Sequence, residues 1–302
     1  MRNQAKEVRI LPQFLYIEPT SVCNLHCTMC YTNVINGPAR RVLESEQILG
    51  FVRRFVASTP SPISLYWCGT GEVFLHPGFP GIVNTLLDEF GDSMEQIIQT
   101  NGTMRRRLRE FSSLSRLNFR VSIEGRKEAH ERMRGQKTYD RTIEFCRAAV
   151  EGGCRSLAVR TLLTRDNIME LDEFYAELRD RVGPQVQLLL SIAYPNRLLR
   201  PLRAKALAIV QHDINDSTLL QEAEARQILA ERYDNRYALD DGAGTDSAGQ
   251  VDNYLSLNTY GVYSCCHGII KLGEPEQDIG VLYERMRSTE AECRSCSMFP
   301  CQ

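Results

Sequence analysis

The sequence predicts an α/β fold: a partial, TIM-like (β/α)6 barrel followed by a small cysteine-rich C-terminal domain. Three observations lead there. Strand-length apolar runs alternate with longer amphipathic runs from residue 14 to about 195. The alternation then gives way to a helix, a stretch rich in Gly, Ser and Asp, and a hairpin. Cys265, Cys266, Cys293, Cys296 and Cys301 crowd the end of the chain.

In order, the strand candidates are Phe14–Glu18, Ile63–Trp67, Glu95–Thr100, Asn118–Glu124, Leu157–Thr164 and Val186–Ala193. The helical candidates between them are Ser45–Ala57, Gly81–Glu89, Met104–Ser113, Tyr139–Glu151 and Asn167–Arg181. Their apolar residues recur at three- and four-residue spacing, as at Phe145, Ala148 and Ala149. Six strand–helix units in series read as a parallel sheet covered by helices, short of a full eight-unit barrel. Ser217–Tyr233 is a helix with Ser217 or Asp216 as N-cap, and Asp240–Gln250 reads as a linker or loop. Tyr254–Leu257, a turn at Asn258–Gly261 and Val262–Ser264 form a short hairpin. The expected division is 1–213 for the barrel and 214–302 for the appended unit. The last forty or so residues, where the cysteines crowd, are too few to fold on hydrophobic burial alone and call for a bound cluster.

Composition is that of an ordinary soluble protein: 302 residues, 43% hydrophobic, 25% charged, net charge -2. That charge excludes a strong pull toward nucleic acid or an anionic membrane. No run approaches the roughly 20 apolar residues of a membrane span, and Met1–Ile10 is too polar for a secretory signal. A cytoplasmic protein is expected, in which 11 cysteines point to metal or cluster ligation rather than disulfides.

Cys23-Asn-Leu-His-Cys27-Thr-Met-Cys30 follows the first strand directly. So short a loop can wrap three thiolates around one cubane and leave its fourth iron without a protein ligand. An open coordination position separates a catalytic centre from a closed structural one. The alternative is a zinc knuckle completed by His26, but His26 adjoins Cys27, which makes convergent ligation awkward. On the fourth strand Arg120, Ser122 and Glu124 alternate with Val121 and Ile123. A buried parallel strand is ordinarily apolar on both faces, so three polar residues on one side imply a polar, ligand-filled interior. Arg160 is charged amid Leu157, Ala158, Val159, Leu162 and Leu163. It either escapes at a strand end or, as favoured here, faces the lumen. Glu18 ends the first strand, and Tyr194 and Asn196 follow the sixth, where ligands bind in open α/β sheets.

The C-x3-C-x2-C loop with the segments that follow resembles the radical S-adenosylmethionine (SAM) superfamily. The resemblance implies a [4Fe–4S] cluster on Cys23, Cys27 and Cys30. Its open iron chelates SAM, and electron transfer then gives a 5′-deoxyadenosyl radical. Met29, before the last cysteine, takes the adenine-packing place, where an aromatic is commoner. Gly69-Thr70-Gly71-Glu72 is similar to the family's Gly-Gly-Glu motif, which receives the ammonium of SAM. Gln99-Thr100-Asn101-Gly102 matches a Thr-Asn-Gly segment of many relatives. By the same analogy Ser122 and Glu124 lie near the ribose or carboxylate, and Arg134 at the carboxylate. Read without the analogy, Arg134 is equally a solvated helix charge. The lumen placement favoured for Arg160 would give it a role in binding substrate or SAM.

The hairpin Leu255–Cys265 with Leu272-Gly273 resembles the SPASM/twitch extension, which carries auxiliary [4Fe–4S] clusters. The match is partial, since a cysteine usual upstream of the hairpin is missing. One auxiliary cluster is expected, on Cys265, Cys293, Cys296 and Cys301. Five cysteines for four positions leave one over, and alignment of the hairpin makes it Cys266, although another count would make it Cys265. The spare thiol is either a small buried hydrophobe or a hydrogen donor to a substrate radical. Cys68, Cys146 and Cys154 read as structural. The resemblance further implies a reductant such as flavodoxin or ferredoxin and hydrogen abstraction from an unactivated carbon. A first strand at residue 14 leaves no room for a leader-binding domain, which favours a small sugar- or aminocyclitol-type molecule over a peptide. The spare thiol favours epimerisation over dehydrogenation with the auxiliary cluster as acceptor, or over peptide crosslinking. A non-catalytic zinc or iron–sulfur scaffold leaves Gly69–Glu72 and the polar fourth strand unexplained.

Overall fold

The computed structural model describes residues 13–30, 40–59, 62–192, 220, 222–239, 254–263 and 271–288. Its centre is a parallel sheet of six strands: β1 (Phe14–Ile17), β2 (Ile63–Trp67), β3 (Met94–Thr100), β4 (Leu117–Ser122), β5 (Ser156–Leu163) and β6 (Gln187–Ile192). Each strand pairs with the next in sequence, so every crossover steps the same way. That winding curls a sheet toward a barrel instead of doubling it back on itself. The crossovers carry α1 (Ser45–Ser58), α2 (Phe79–Phe90), α3 (Lys127–Arg134) with α4 (Tyr139–Glu151), and α5 (Leu171–Arg181).

The pairing register sorts side chains onto two faces. Leu15, Ile17, Leu65, Trp67, Ile98, Phe119, Val121, Leu157 and Val159 lie on one face and join the main core. Helix α1 presents Ile48, Leu49, Phe51, Val52 and Phe55 to that core, the apolar stripe of an amphipathic helix. Phe74, Phe79, Phe119 and Phe145 meet edge to face, with Phe74–Phe145 at 5.6 Å and Phe119–Phe145 at 5.7 Å. The other face carries Tyr16, Tyr66, Gln99, Arg120, Ser122 and Arg160, and lines the inside of the partial barrel.

Helix α6 (Glu222–Tyr233) packs a second core of Leu163, Leu171, Leu190, Leu229 and Tyr233 beside β6. The predicted hairpin is present as β7 (Tyr254–Asn258) and β8 (Gly261–Tyr263), and a third strand, β9 (Lys271–Gly273), extends it. Strand β7 pairs parallel with β1, so the hairpin continues the barrel sheet at its β1 edge. A last helix, α7 (Ile279–Ser288), buries Ile279, Leu282, Tyr283 and Met286.

Two local expectations fail. The segment predicted as helix Met104–Ser113 is a 3-10 turn, Arg105–Glu110. Asn84 of α2 takes the Glu110 carbonyl (2.9 Å) and the Ser112 amide (2.8 Å), so these backbone groups bond across to a neighbour. Helix α3 is absent from the predicted elements, because its eight residues bury only Ala129 and His130 and show no apolar stripe. Among the described residues no helix is long and apolar enough to cross a membrane.

Candidate active site

The site is built where the parallel strands end. The cysteine loop leaves β1, runs past the loop after β2 and is fastened at both of its own ends. Gly71 lies so close to it that a Cβ would stand 2.2 Å from the Thr20 carbonyl oxygen and 2.6 Å from that of Val22. Only glycine permits this approach, and it lets the Glu72 amide donate to Val22 O at 2.8 Å. Gly69 has φ +131, and a Cβ there would meet the Glu18 carboxylate at 2.4 Å. That carboxylate instead accepts the Thr70 amide at 2.6 Å and faces Thr259 Oγ1 at 3.5 Å. Glu18 also donates its own amide to Leu257 O of β7 at 2.8 Å, so one residue joins cysteine loop, glycine loop and hairpin. Burial raises the pKa of Glu18, and the Thr70 hydrogen bonds oppose it.

Glu72 is buried, and its carboxylate accepts Thr100 Oγ1 (2.7 Å), the Asn101 amide (2.7 Å) and the Phe74 amide (3.3 Å). Burial raises its pKa against these three bonds. Through them the loops after β2 and β3 become one unit. Asn101 Nδ2 in turn donates to Asn24 Oδ1 at 2.9 Å and points at Cys23 Sγ at 4.0 Å. Asn24 Nδ2 donates to Thr103 Oγ1 at 2.8 Å, and Thr103 Oγ1 donates to Asn101 Oδ1 at 2.7 Å, closing a small ring of bonds. The Leu25 amide also faces Cys23 Sγ, at 3.5 Å.

The other end of the cysteine loop is tied to α3, the Thr28 amide donating to Met133 O at 2.9 Å. Next to Met133, Arg134 donates from Nε (2.8 Å) and Nη2 (2.6 Å) to Glu124 Oε1, while Glu124 Oε2 accepts the Leu162 amide at 2.6 Å. Arg134 is therefore a paired, mostly buried residue with 14% of its side chain exposed. Burial lowers its pKa, but Glu124, Cys27 and Cys30 outweigh that and the net shift is upward. Cys27 is pushed up to about 11, chiefly by burial, with Arg134 pulling it back. Behind the pair, the Glu124 amide donates to His130 Nδ1 at 3.2 Å.

Cys23, Cys27 and Cys30 are half-buried and carry no disulfide. Among the described residues no three His, Cys, Asp or Glu side chains converge on one metal ion. A cubane asks for a different arrangement, because each thiolate takes a different iron and the sulfurs stand apart. The all-thiol set, with N–H groups aimed at Cys23 and Arg134 beside Cys27, fits a cluster in which each thiolate takes its own iron.

Of the sequence-derived candidates, the glycine loop, Asn101, Glu124 and Arg134 gather around the cysteine loop. Met29 is half-buried within it. Ser122 and Arg160 are register partners across β4 and β5 on the inner face. Tyr194, Cys265, Cys266, Cys293, Cys296 and Cys301 lie outside the described residues. Sequence reading missed Asn24, Thr103, Met133 and Asn167. Asn167 Nδ2 donates to Leu162 O (2.8 Å) and Glu124 O (3.3 Å), bracing the ends of β4 and β5. Nothing in local spacing pairs residues 79 apart, as Asn24 and Thr103 are. The one available signal was an asparagine set between two cysteines of the loop.

The fold is similar to that of native anSMEcpe with bound AdoMet and Cp18Cys peptide, at a TM-score of 0.69 and 18% identity, over 92% of this chain and 82% of that one. It is also similar to Streptococcus suis SuiB bound to precursor peptide SuiA, at a TM-score of 0.60 and 13% identity, over 96% and 70% of the two chains. Such identities show a likeness of fold alone. In sequence, the GTP 3′,8-cyclase of Aeromonas hydrophila is 27% identical over 179 residues, 56% of this chain. The chain spans about half the length of that curated relative, 51%. The model of the radical SAM superfamily matches residues 17–178, which hold the cysteine loop, the glycine loop and Arg134. With more than half of its length matched, the chain belongs to the radical SAM superfamily.

Proposed function

We propose that this radical SAM enzyme abstracts hydrogen from an unactivated carbon of a small sugar- or aminocyclitol-type molecule and epimerises it, with Cys266 returning hydrogen. The observation that carries the hydrogen-abstraction step is the two-faced fourth strand. Its Arg120 and Ser122 side faces inward, and Glu124, just past the end of the strand, pairs with Arg134 beside the three-thiol loop. Cys23, Cys27 and Cys30 would hold a [4Fe–4S] cluster, which when bound would supply the chelation of SAM and the electron for its reductive cleavage to methionine and a 5′-deoxyadenosyl radical.

The protein's own groups do the rest. Asn101 and the Leu25 amide fix Cys23, and Glu72 locks the loop that presents Gly69–Gly71 to the SAM ammonium. Arg134, held by Glu124, keeps positive charge beside Cys27 and toward the SAM carboxylate. Ser122 and Arg160 contact SAM or substrate from the inner wall, Met29 packs on adenine, and Tyr194 is assigned to cofactor binding from sequence. Removing H• from the substrate carbon leaves a carbon radical. The Cys266 S–H gives H• to its opposite face, and the resulting thiyl takes one electron from flavodoxin or ferredoxin and one solvent proton. Cys265, Cys293, Cys296 and Cys301 would hold one auxiliary [4Fe–4S] cluster within residues 214–302, beyond the barrel at 1–213.

The test is solvent-deuterium incorporation into product by the anaerobically reconstituted enzyme. Incorporation by wild type, lost in Cys266→Ala or Cys265→Ala with SAM cleavage kept, is the expected result. Product formed with no incorporation overturns epimerisation and favours dehydrogenation. A peptide substrate is the second reading, because structures of similar fold hold peptides: anSMEcpe with Cp18Cys and SuiB with SuiA.

A further inference from the structure

The charged groups on and around the inner face of the barrel mostly have hydrogen-bond or ion-pair partners. Glu124 is held by Arg134. Glu18 accepts the Thr70 amide, and Glu95 accepts Ser64 Oγ (3.4 Å) and Asn118 Nδ2 (3.2 Å). At the hairpin end, Lys271 is paired with Glu274 at 2.6 Å. Arg120 is different. It lies in register with Gln99 on β3 and Ala158 on β5, one row below Ser122 and Arg160. Its guanidinium sits 5.1 Å over the ring of Tyr66, which stacks on Tyr16 at 4.9 Å and 18°. Among the described residues no carboxylate pairs with it.

A cation–π contact holds a guanidinium in place but leaves its N–H edge unsatisfied, and it is weaker than a carboxylate pair. A half-buried, always-charged group with a fixed plane and a free edge is the usual anatomy of an oxyanion receptor. The stacked Tyr16 and Tyr66 form a flat wall beneath it. Arg120 therefore faces inner-barrel space deeper than the strand-end loops around the cysteines.

We propose that Arg120, oriented by Tyr66, is the substrate anchor of this enzyme and that the substrate carries an anionic group, a carboxylate or a phosphate. This rests on the radical SAM reading above and deepens it by naming the class of substrate. Neutral sugars and aminocyclitols without such a group would leave the guanidinium unmatched.

The experiment titrates the reconstituted enzyme, saturated with SAM, with inorganic phosphate (31P line broadening) and with acetate (saturation-transfer NMR). Saturating SAM removes the cofactor's own carboxylate site from the measurement. The expected result is saturable binding of at least one anion, weakened at least tenfold in Arg120→Gln and less in Arg120→Lys. Arg53→Gln, which breaks an exposed pair with Glu89, should leave binding unchanged and controls for net charge. Preference for phosphate assigns a phosphorylated substrate, and preference for acetate a carboxylate. Equal affinity of wild type and Arg120→Gln overturns the proposal, as does binding of neither anion. If Arg120→Gln fails to fold by thermal unfolding, Arg120→Lys decides alone, an unchanged affinity again being fatal. Conversion of SAM to 5′-deoxyadenosine by the wild type is recorded in parallel. Its absence breaks the radical SAM reading, whereas its presence without anion binding breaks only this inference.

Discussion

The outer and inner faces of the same six strands are made from different materials. Outside, Leu15, Ile17, Trp67, Phe119 and Val121 lock against helices in a dry core, and even the buried Gln96 is satisfied, accepting from Trp67 Nε1 at 2.8 Å. Inside, alternate residues of those strands include Tyr16, Tyr66, Arg120, Ser122 and Arg160, and the strand ends carry a chain of polar bonds from Asn24 to Asn101 to Glu72. Apolar packing is concentrated on one face and polar groups on the other, because a parallel strand with helices on only one side has a second face free of the core. Substitutions should sort by face, and the largest effects test that first.

The triple variant Cys23→Ala, Cys27→Ala, Cys30→Ala should lose about four irons per chain after anaerobic reconstitution, as one cubane requires. Formation of 5′-deoxyadenosine should fall below detection. Phe74→Ala, in the outer aromatic cluster, should cost roughly 3–5 kcal/mol in denaturant unfolding while leaving iron content intact in the folded fraction. An apo triple variant destabilised as much as Phe74→Ala would break the division between the faces.

The strands were legible because apolar runs bounded by turns need no partner to be recognised, and Ile63–Trp67 was read to the residue. The cysteine and glycine loops were legible because their chemistry is local in sequence. What could not be read depends on distant partners. The pairing of β7 with β1 joins residues about 240 apart, and no local pattern carries it. Helix α3 is charged on nearly every side because it serves the site more than the core. Helix α7 is a different kind of miss, since Ile279, Leu282, Tyr283 and Met286 recur at helical spacing and were readable. Arg134 was ambiguous in sequence between ligand and solvated charge. Its pairing with Glu124 removes the solvated reading.

That pair sits between the two faces and gives the next largest effect. Arg134→Gln leaves the buried Glu124 carboxylate with the Leu162 amide as its main remaining donor, which should cost roughly 3 kcal/mol. Adding Glu124→Gln removes the stranded charge while keeping an acceptor for that amide, so the double variant should recover most of the loss. A double-mutant cycle in urea reads the coupling, and simple additivity would show that the pair contributes no interaction of its own.

The smallest effect is a pH dependence, and it probes the layer just behind the pair. His130 is buried against the Tyr139 ring at 5.5 Å, accepts the Glu124 amide at Nδ1 and lies close to Arg134. Burial, reinforced by the Arg134 charge, lowers its pKa to about 3. A folded-state pKa below the unfolded value means that the unfolded chain binds the proton more readily. The stability from keeping His130 neutral is therefore complete above about 6.5 and is lost as pH falls toward 3, by at most about 5 kcal/mol. Unfolding midpoints of the apo-protein should decline across that window. His130→Gln, which keeps an acceptor for the Glu124 amide, should flatten the decline while costing less at pH 7 than Arg134→Gln. A slope that survives His130→Gln unchanged would place the acid sensitivity elsewhere, most directly on the exposed pairs of Asp140 and Asp172, whose carboxyls lie below their ordinary range through hydrogen bonds to Lys127 and Arg236.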